Sequence, residues 1–79
     1  MIVRYEKQAV KALRKIDAPT RKRIVAAIDL LSETGHGDIK KLKGEKNLFR
    51  LRVGSWRIIY NEDGVVLLVL KIKPRGGAY

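Results

Sequence analysis

Residues 49–60 read FRLRVGSWRIIY, and this stretch decides the fold. In its first half, apolar residues alternate with arginines, which is the two-residue period of a strand with one face buried. Gly54-Ser55 is a two-residue turn between two such runs, so the stretch predicts a β-hairpin. The hairpin register places Arg52 directly opposite Arg57, on the face that the apolar side chains leave to solvent.

A further turn and strand follow the hairpin. Residues 65–72, VVLLVLKI, are apolar almost without interruption, which indicates a central strand buried on both faces and ended by Pro74. Residues 62–64, Glu-Asp-Gly, predict a three-residue turn, because its last position suits glycine. A turn of three residues puts Arg57 and Lys71 on the same face, whereas two or four residues would put them on opposite faces.

A strand and two helices precede the hairpin. Residues 2–5 predict a short strand, and residues 6–16 carry apolar side chains at helical spacing. Asp17 predicts the N-cap of a second helix, which has Pro19 in its first turn. Gly35 predicts the end of that helix.

The polar segment 36–47, which is rich in Lys and Gly, shows no period and predicts a loop. The element order is therefore β-α-α-β-β-β within one domain, residues 1–79, since half of this length is too short for a core of its own. This order predicts an α+β fold with an antiparallel C-terminal meander. The two helices pack on one sheet face and leave the other face open.

The formal net charge is +10, from 18 Lys and Arg against 8 Asp and Glu. This balance indicates a polyanionic partner, which could be nucleic acid, an acidic membrane surface or an acidic protein segment. The chain has no cysteine, so disulfides and thiolate metal sites are excluded and a reducing cytoplasm is expected. No run of about 18 apolar residues occurs, so we expect no membrane span.

Cations are concentrated on the predicted open face. By alternation this face collects Arg50, Arg52, Arg57, Lys71, Lys73 and Arg75. Like charges opposite each other destabilise a ladder by up to about 1 kcal/mol. The pair Arg52 and Arg57 is therefore either a solvated surface feature or a preformed phosphate clamp, since the guanidinium fork matches phosphate oxygens.

Other catalytic residue types are scarce. Tyr79, four residues after Arg75, is a candidate base or else an ordinary surface residue. His36 is the only histidine, so the histidine pair of many ribonucleases is impossible. The acidic residues are scattered among turns without ligand spacing, and we therefore expect no metal and no cofactor.

Two runs of sequence carry a family resemblance. Residues 41–60, KLKGEKNLFRLRVGSWRIIY, and residues 65–79, VVLLVLKIKPRGGAY, resemble the RelE/ParE superfamily of type II toxin-antitoxin systems. The specific parts are KLKG, the R-x-R-x-G-x-[WY]-R-x-x-Y hairpin and the closing R-x-x-x-Y. The resemblance implies a metal-independent endoribonuclease that cuts messenger RNA in the ribosomal A site and leaves a 2′,3′-cyclic phosphate. It also implies a RelB-like antitoxin as the silencing partner.

The resemblance further implies a set of site residues. Arg57 would grip the scissile phosphate and Arg75 would lie near the leaving group, with Arg50 and Tyr79 completing the catalytic set. RNA-binding residues are expected to be Lys41, Lys43, Lys46, Arg52, Lys71 and Lys73. Two alternatives remain: a ParE-like inhibitor of DNA gyrase, and a noncatalytic RNA-binding module that uses charge alone.

Overall fold

The computed structural model describes residues 1–42, 44 and 47–74. Its elements are β1 (Ile2–Tyr5), α1 (Lys7–Lys15), α2 (Ala18–Thr34), β2 (Asp38–Lys41), β3 (Leu48–Val53), β4 (Trp56–Glu62) and β5 (Val66–Pro74). The five strands form one sheet in the order β1-β5-β4-β3-β2. β1 is parallel to β5, and the other neighbours are antiparallel.

One apolar core joins the helices to one face of the sheet. The buried residues are Ala9, Ile16, Ile24, Ile28, Leu31, Leu51, Ile58, Tyr60, Leu67, Val69 and Ile72. On the other face, every strand residue in the described ranges stays half-buried or exposed. We call this second face the open face, and the predicted α+β fold with both helices on one sheet face is confirmed.

The predicted ends of α2 are confirmed by its caps. The Asp17 carboxylate accepts hydrogen bonds from the Thr20 backbone N–H, at 3.2 Å, and from the Thr20 hydroxyl, at 3.0 Å. At the other end, Gly35 has φ 78°, in the left-handed region that glycine adopts without a Cβ clash, and donates its N–H to the Leu31 carbonyl.

The prediction of a loop over residues 36–47 is wrong at its start, because β2 lies there. β2 has four residues, all of them exposed, and pairs antiparallel with β3. A strand that buries no side chain shows no alternation of apolar and polar residues, so its sequence carries no strand signal. The meander therefore has four strands, with β2 at one edge of the sheet.

The prediction that β5 is buried on both faces is also wrong. β5 does lie between β1 and β4, but Val66 and Leu68 are only half-buried. The reason is that both helices pack on the face that Leu67 and Val69 share, and nothing in the described chain covers the opposite face. Continuous apolar sequence here reflects an internal strand of a sheet with one covered face.

The turn between β4 and β5 differs from the predicted three residues. Four residues, 63–66, separate the last register partners, Glu62 and Leu67. The Asp63 carboxylate accepts hydrogen bonds from the Val65 N–H at 2.9 Å and the Val66 N–H at 2.8 Å. These bonds fix the turn and hold the pKa of the Asp63 carboxyl below its ordinary value.

A β-bulge in β5 changes which residues of this strand face the helices and which lie on the open face. The register shifts between the pairs Ile59↔Lys71 and Tyr60↔Val69, so Leu70 is an extra residue without a partner in β4. A turn of four residues alone would put Arg57 and Lys71 on opposite faces. The extra residue restores the predicted outcome, and both lie on the open face.

The Asp17 cap predicts a pH-dependent stability. Its hydrogen bonds to Thr20 hold the pKa of the Asp17 carboxyl below its ordinary value. Such a carboxyl stabilises the fold above its unfolded pKa, about 3.9, and this contribution is lost as pH falls through the folded pKa. We expect Asp17→Ala to lower Tm by about 4–8 °C at pH 7. The difference from the wild type should shrink below about pH 4.

Glu6 offers a matched control, since it is the N-cap residue of α1 but makes no capping hydrogen bond through its side chain. Glu6→Ala should leave Tm nearly unchanged at either pH. Thermal melting followed by circular dichroism at pH 7 and pH 3 makes the comparison. A loss of Tm in Asp17→Ala that is the same at both pH values would show that its charged carboxylate is not the stabilising group.

Candidate nucleic-acid interface

Apart from Arg4 on β1, the charged side chains of the described strands on the open face form two cross-strand rows. The first row consists of the register partners Asp38, Arg52, Arg57 and Lys73. The second row consists of the register partners Lys40, Arg50, Ile59 and Lys71. Strands lie about 4.8 Å apart and the rows about 7 Å apart, so six cations project from roughly 14 by 7 Å of backbone. We call these eight residues the two-row patch.

The first row confirms the predicted hairpin register. Arg52 lies directly opposite Arg57, and Arg57 in turn lies directly opposite Lys73. Gly54 has φ 58°, the left-handed conformation that a two-residue hairpin turn requires at its first position. Three adjacent cations do not stabilise a sheet, since like charges in cross-strand pairs repel. They do form a continuous row of positive charge that suits an anion.

In the second row, Arg50 is half-buried and pairs with Asp38 of the first row. Its Nη2 atom lies 3.3 Å from Oδ1 of Asp38, and the two side chains are 18% and 61% exposed. The Nε atom of Arg50 is buried and has no hydrogen-bond partner in the described chain. Among the described strand residues of the open face, Asp38 is the only one with a carboxylate.

The predicted lysines divide between the two faces. Lys71 and Lys73 lie on the open face, as predicted. Lys41 pairs with Phe49, whose ring stacks on Tyr60 on the helix side at a centroid distance of 5.4 Å, so Lys41 belongs to the helix-side face. Lys40 takes the open-face position beside Arg50. Sequence reasoning missed it because a segment interpreted as a loop has no register.

Four predicted site residues lie outside the described residues. They are Lys43, Lys46, Arg75 and Tyr79. The structure therefore bears on the catalytic prediction through Arg50 and Arg57 alone, and it brings both into the two-row patch.

The described tyrosines near the core are poor proton acceptors. Burial raises the pKa of Tyr5, and the carboxylate of Asp29 raises it further. Burial raises the pKa of Tyr60 in the same way, with a smaller effect from Glu62. Both side chains also belong to the helix-side face.

The chemistry of the patch is that of fixed positive charge. Residues 1–42, 44 and 47–74 contain no group of three His, Cys, Asp or Glu side chains that could hold a metal ion. The patch can bind a polyanion and neutralise charge that develops on a phosphate.

Among the helices that the structure describes, none combines the length and the apolar character of a membrane span.

A separate apolar cleft lies on the helix-side face. Its volume is about 300 Å³, and it is lined by Met1, Leu31, Gly35, Ile39, Phe49, Tyr60, Glu62 and Leu67. We call it the edge cleft, because Ile39 belongs to the edge strand β2. Met1 and Ile39 are 41% and 37% exposed, so an apolar surface remains accessible beside the core.

Comparison with known proteins identifies the family. A family profile described as the ParE toxin of the type II toxin-antitoxin system parDE matches residues 3–79. Toxin RelE3 of Methanocaldococcus jannaschii is 32% identical over 100% of this chain and 96% of its own length. A chain of the archaeal RelE-RelB complex from Pyrococcus horikoshii OT3 superposes with a TM-score of 0.79 at 35% identity, covering 98% of this chain and 97% of that chain.

The isolated E. coli RelE toxin shares the fold, with a TM-score of 0.81 at 17% identity over 98% of this chain and 86% of that chain. The sequence resemblance to RelE/ParE toxins is thereby confirmed. The two-row patch, the α+β fold and these similarities agree, and the chain belongs to the ParE toxin family of type II toxin-antitoxin systems.

Proposed function

We propose that this toxin is a metal-independent endoribonuclease that cuts messenger RNA in the ribosomal A site and so inhibits translation. The observation that carries the proposal is the first row of the two-row patch, where Arg57 lies between Arg52 and Lys73. The similarity to a relative named as a RelE toxin supports the same reading. Guanidinium groups in this arrangement suit a phosphate, because each can donate two parallel hydrogen bonds to its oxygens.

The proposed chemistry is an attack of a ribose 2′-oxygen on the adjacent phosphorus. The O2′–P bond forms and the P–O5′ bond breaks, which leaves a 2′,3′-cyclic phosphate and a 5′-hydroxyl. A base accepts the O2′ proton, and an acid supplies a proton to the leaving oxygen. Arg57 neutralises the negative charge of the phosphorane. The resemblance places Arg75 near the leaving group and includes Tyr79 in the catalytic set, where its phenol is a candidate base.

A ribosome-bound substrate fits the residue types on the open face. The described strand residues of this face include no histidine and only one carboxylate, Asp38, which is paired with Arg50. Such a site offers charge stabilisation but few groups for proton transfer. Its rate would depend on a substrate already held in the reactive geometry, because correct orientation of the reacting groups can by itself remove a large part of the activation barrier. Messenger RNA fixed in the A site meets this requirement.

A RelB-like antitoxin is the proposed silencing partner. The Pyrococcus horikoshii relative is named as a RelE-RelB complex. The net charge of +10 and the edge cleft suit an amphipathic acidic segment, whose apolar side would enter the cleft while its carboxylates meet the basic surface.

Inhibition of DNA gyrase is the second candidate, because the matched family profile carries the ParE name. A noncatalytic RNA-binding module is the third. Primer extension on RNA, together with a test for gyrase-dependent DNA breaks in the same cells expressing the chain, distinguishes the three candidates. New 5′ ends within translated codons support the endoribonuclease, gyrase-dependent DNA breaks support the gyrase inhibitor, and translation inhibition with intact mRNA and DNA supports the binding module.

Arg57 provides the most direct test of the phosphate clamp. Since Arg57 is not part of the apolar core, Arg57→Ala should leave Tm within about 2 °C of the wild type. Cleavage should slow by about 10² or more, the effect of removing one preorganised charge-stabilising donor. Arg57→Lys should recover part of this, because lysine keeps the charge but not the two-pronged fork. Thermal melting and single-turnover cleavage of ribosome-bound mRNA measure both effects.

Arg14→Ala is the matched control, since Arg14 is an exposed arginine on α1 and its loss changes the net charge equally. It should cut near the wild-type rate. Equal cleavage by Arg57→Ala and Arg14→Ala, or a loss that follows unfolding of Arg57→Ala, would remove Arg57 from the site.

Chelation tests the absence of metal chemistry. We expect EDTA to leave the cleavage rate unchanged, because arginines rather than a metal ion neutralise the phosphorane in the proposed site. Ribosomes need magnesium, so the assay uses a short RNA at high enzyme concentration. Loss of cutting in EDTA that added magnesium restores would contradict the proposal.

Salt tests the antitoxin interface. If carboxylates meet the basic surface, the Kd of the complex should rise about tenfold or more between 0.1 and 0.5 M NaCl, since salt screens exposed charges. Ile39→Ala in the edge cleft should weaken binding without changing the salt dependence, because it removes only apolar contact. Isothermal titration calorimetry with the cognate antitoxin measures both. A Kd that is independent of salt would exclude electrostatic recognition.

A further inference from the structure

Asp38 occupies an unusual position in the two-row patch. By register it lies opposite Arg52, yet its carboxylate reaches diagonally to Arg50 in the second row, at 3.3 Å. Each of the other charged strand residues in the patch is a cation. A lone carboxylate at this position lowers the attraction of the surface for a polyanion.

The contact itself is weak for a charge-assisted hydrogen bond. Such bonds between arginine and a carboxylate are usually about 2.7–2.9 Å long and often paired, whereas a single Nη2–Oδ1 contact at 3.3 Å joins these two side chains. Asp38 is 61% exposed, so water competes for its oxygens. The pair is therefore held by modest free energy and is readily exchanged.

Arg50 remains short of acceptors despite this contact. Its side chain is only 18% exposed, and its buried Nε has no acceptor in the described chain. A buried donor without a partner costs free energy that a suitable acceptor would recover. A phosphate that displaces Asp38 can accept two parallel hydrogen bonds from the guanidinium of Arg50, whereas a single contact joins that group to Asp38.

We infer that Asp38 is an internal counter-ion for Arg50 that a phosphate of the RNA displaces. In the free toxin, the carboxylate of Asp38 therefore occupies the position at Arg50 that the phosphate takes in the complex. The identity of the anion as RNA rests on the proposed function. Competition lowers the affinity of this site for any phosphate by the free energy of the Arg50–Asp38 pair.

The test is a titration with inorganic phosphate, followed through the Arg50 Nε–H resonance by NMR. Asp38→Asn keeps the size of the side chain and a hydrogen-bond acceptor but removes the charge. We expect it to lower the Kd for phosphate about two- to five-fold, the range for exposed ion pairs. Glu33→Gln is the control, since Glu33 is exposed on α2, away from the open face, and its change should leave the Kd at the wild-type value.

A second measurement separates the ion pair from overall charge. Binding of a fluorescent single-stranded oligonucleotide with 2′-deoxy sugars, which cannot be cut, is compared in wild type, Asp38→Asn, Arg50→Ala and the double variant. The gain in oligonucleotide affinity from Asp38→Asn should disappear in the Arg50→Ala background. A gain that persists there would show that Asp38 acts through its charge on the whole patch, and would overturn the inference.

Weaker phosphate binding by Asp38→Asn would also overturn it, because Asp38 would then be orienting Arg50 for the anion. If Arg50→Ala fails to fold, the phosphate titration of Asp38→Asn decides alone. The proposed function is tested separately by cleavage of ribosome-bound mRNA. A toxin that cuts no RNA but shows tighter phosphate binding in Asp38→Asn would refute that function and keep the role of Asp38.

Discussion

The backbone pairing of β3 with β4 across the Gly54–Ser55 turn is the constraint on which the rest of the structure depends. Side chains alternate between faces along a strand, so this register sends Leu51 and Ile58 into the core while Arg52 and Arg57 face solvent. A slip of one residue would exchange the two sets and bury the arginines. The apolar side chains therefore fix the geometry of the cations, although the cations themselves add nothing to the core.

Charge on the open face opposes stability and favours binding at the same time. Arg57 faces a cation on each neighbouring strand, and like charges in cross-strand pairs repel each other. Small domains have little stability to spare, and the caps of α2 and the buried residues have to offset this repulsion. Asp38 offsets part of it locally by pairing with Arg50. The same pairing gives the anion a competitor, so stability and affinity are coupled at this residue.

The bulge at Leu70 has a specific consequence for the patch. The turn held by Asp63 has an even number of residues, which by itself would point Lys71 and Lys73 toward the helices. The extra residue in β5 brings both lysines back to the face of Arg57. Buried Val69 and Ile72 lie on either side of the bulge, so core packing holds the register on both sides of it.

Local signals in the sequence determined much of this protein. Alternation around Arg52, the N-cap at Asp17 and the C-cap at Gly35 each depend on a few neighbouring residues, so the hairpin, both helices and the pairing of Arg52 with Arg57 could be predicted. Only the tertiary structure decided the rest. Edge strand β2 has no buried side chain to mark it and is defined by backbone pairing with β3, so the neighbourhood of Arg50 could not be predicted. The contact with Asp38 spans 12 residues of sequence and exists only after that pairing forms.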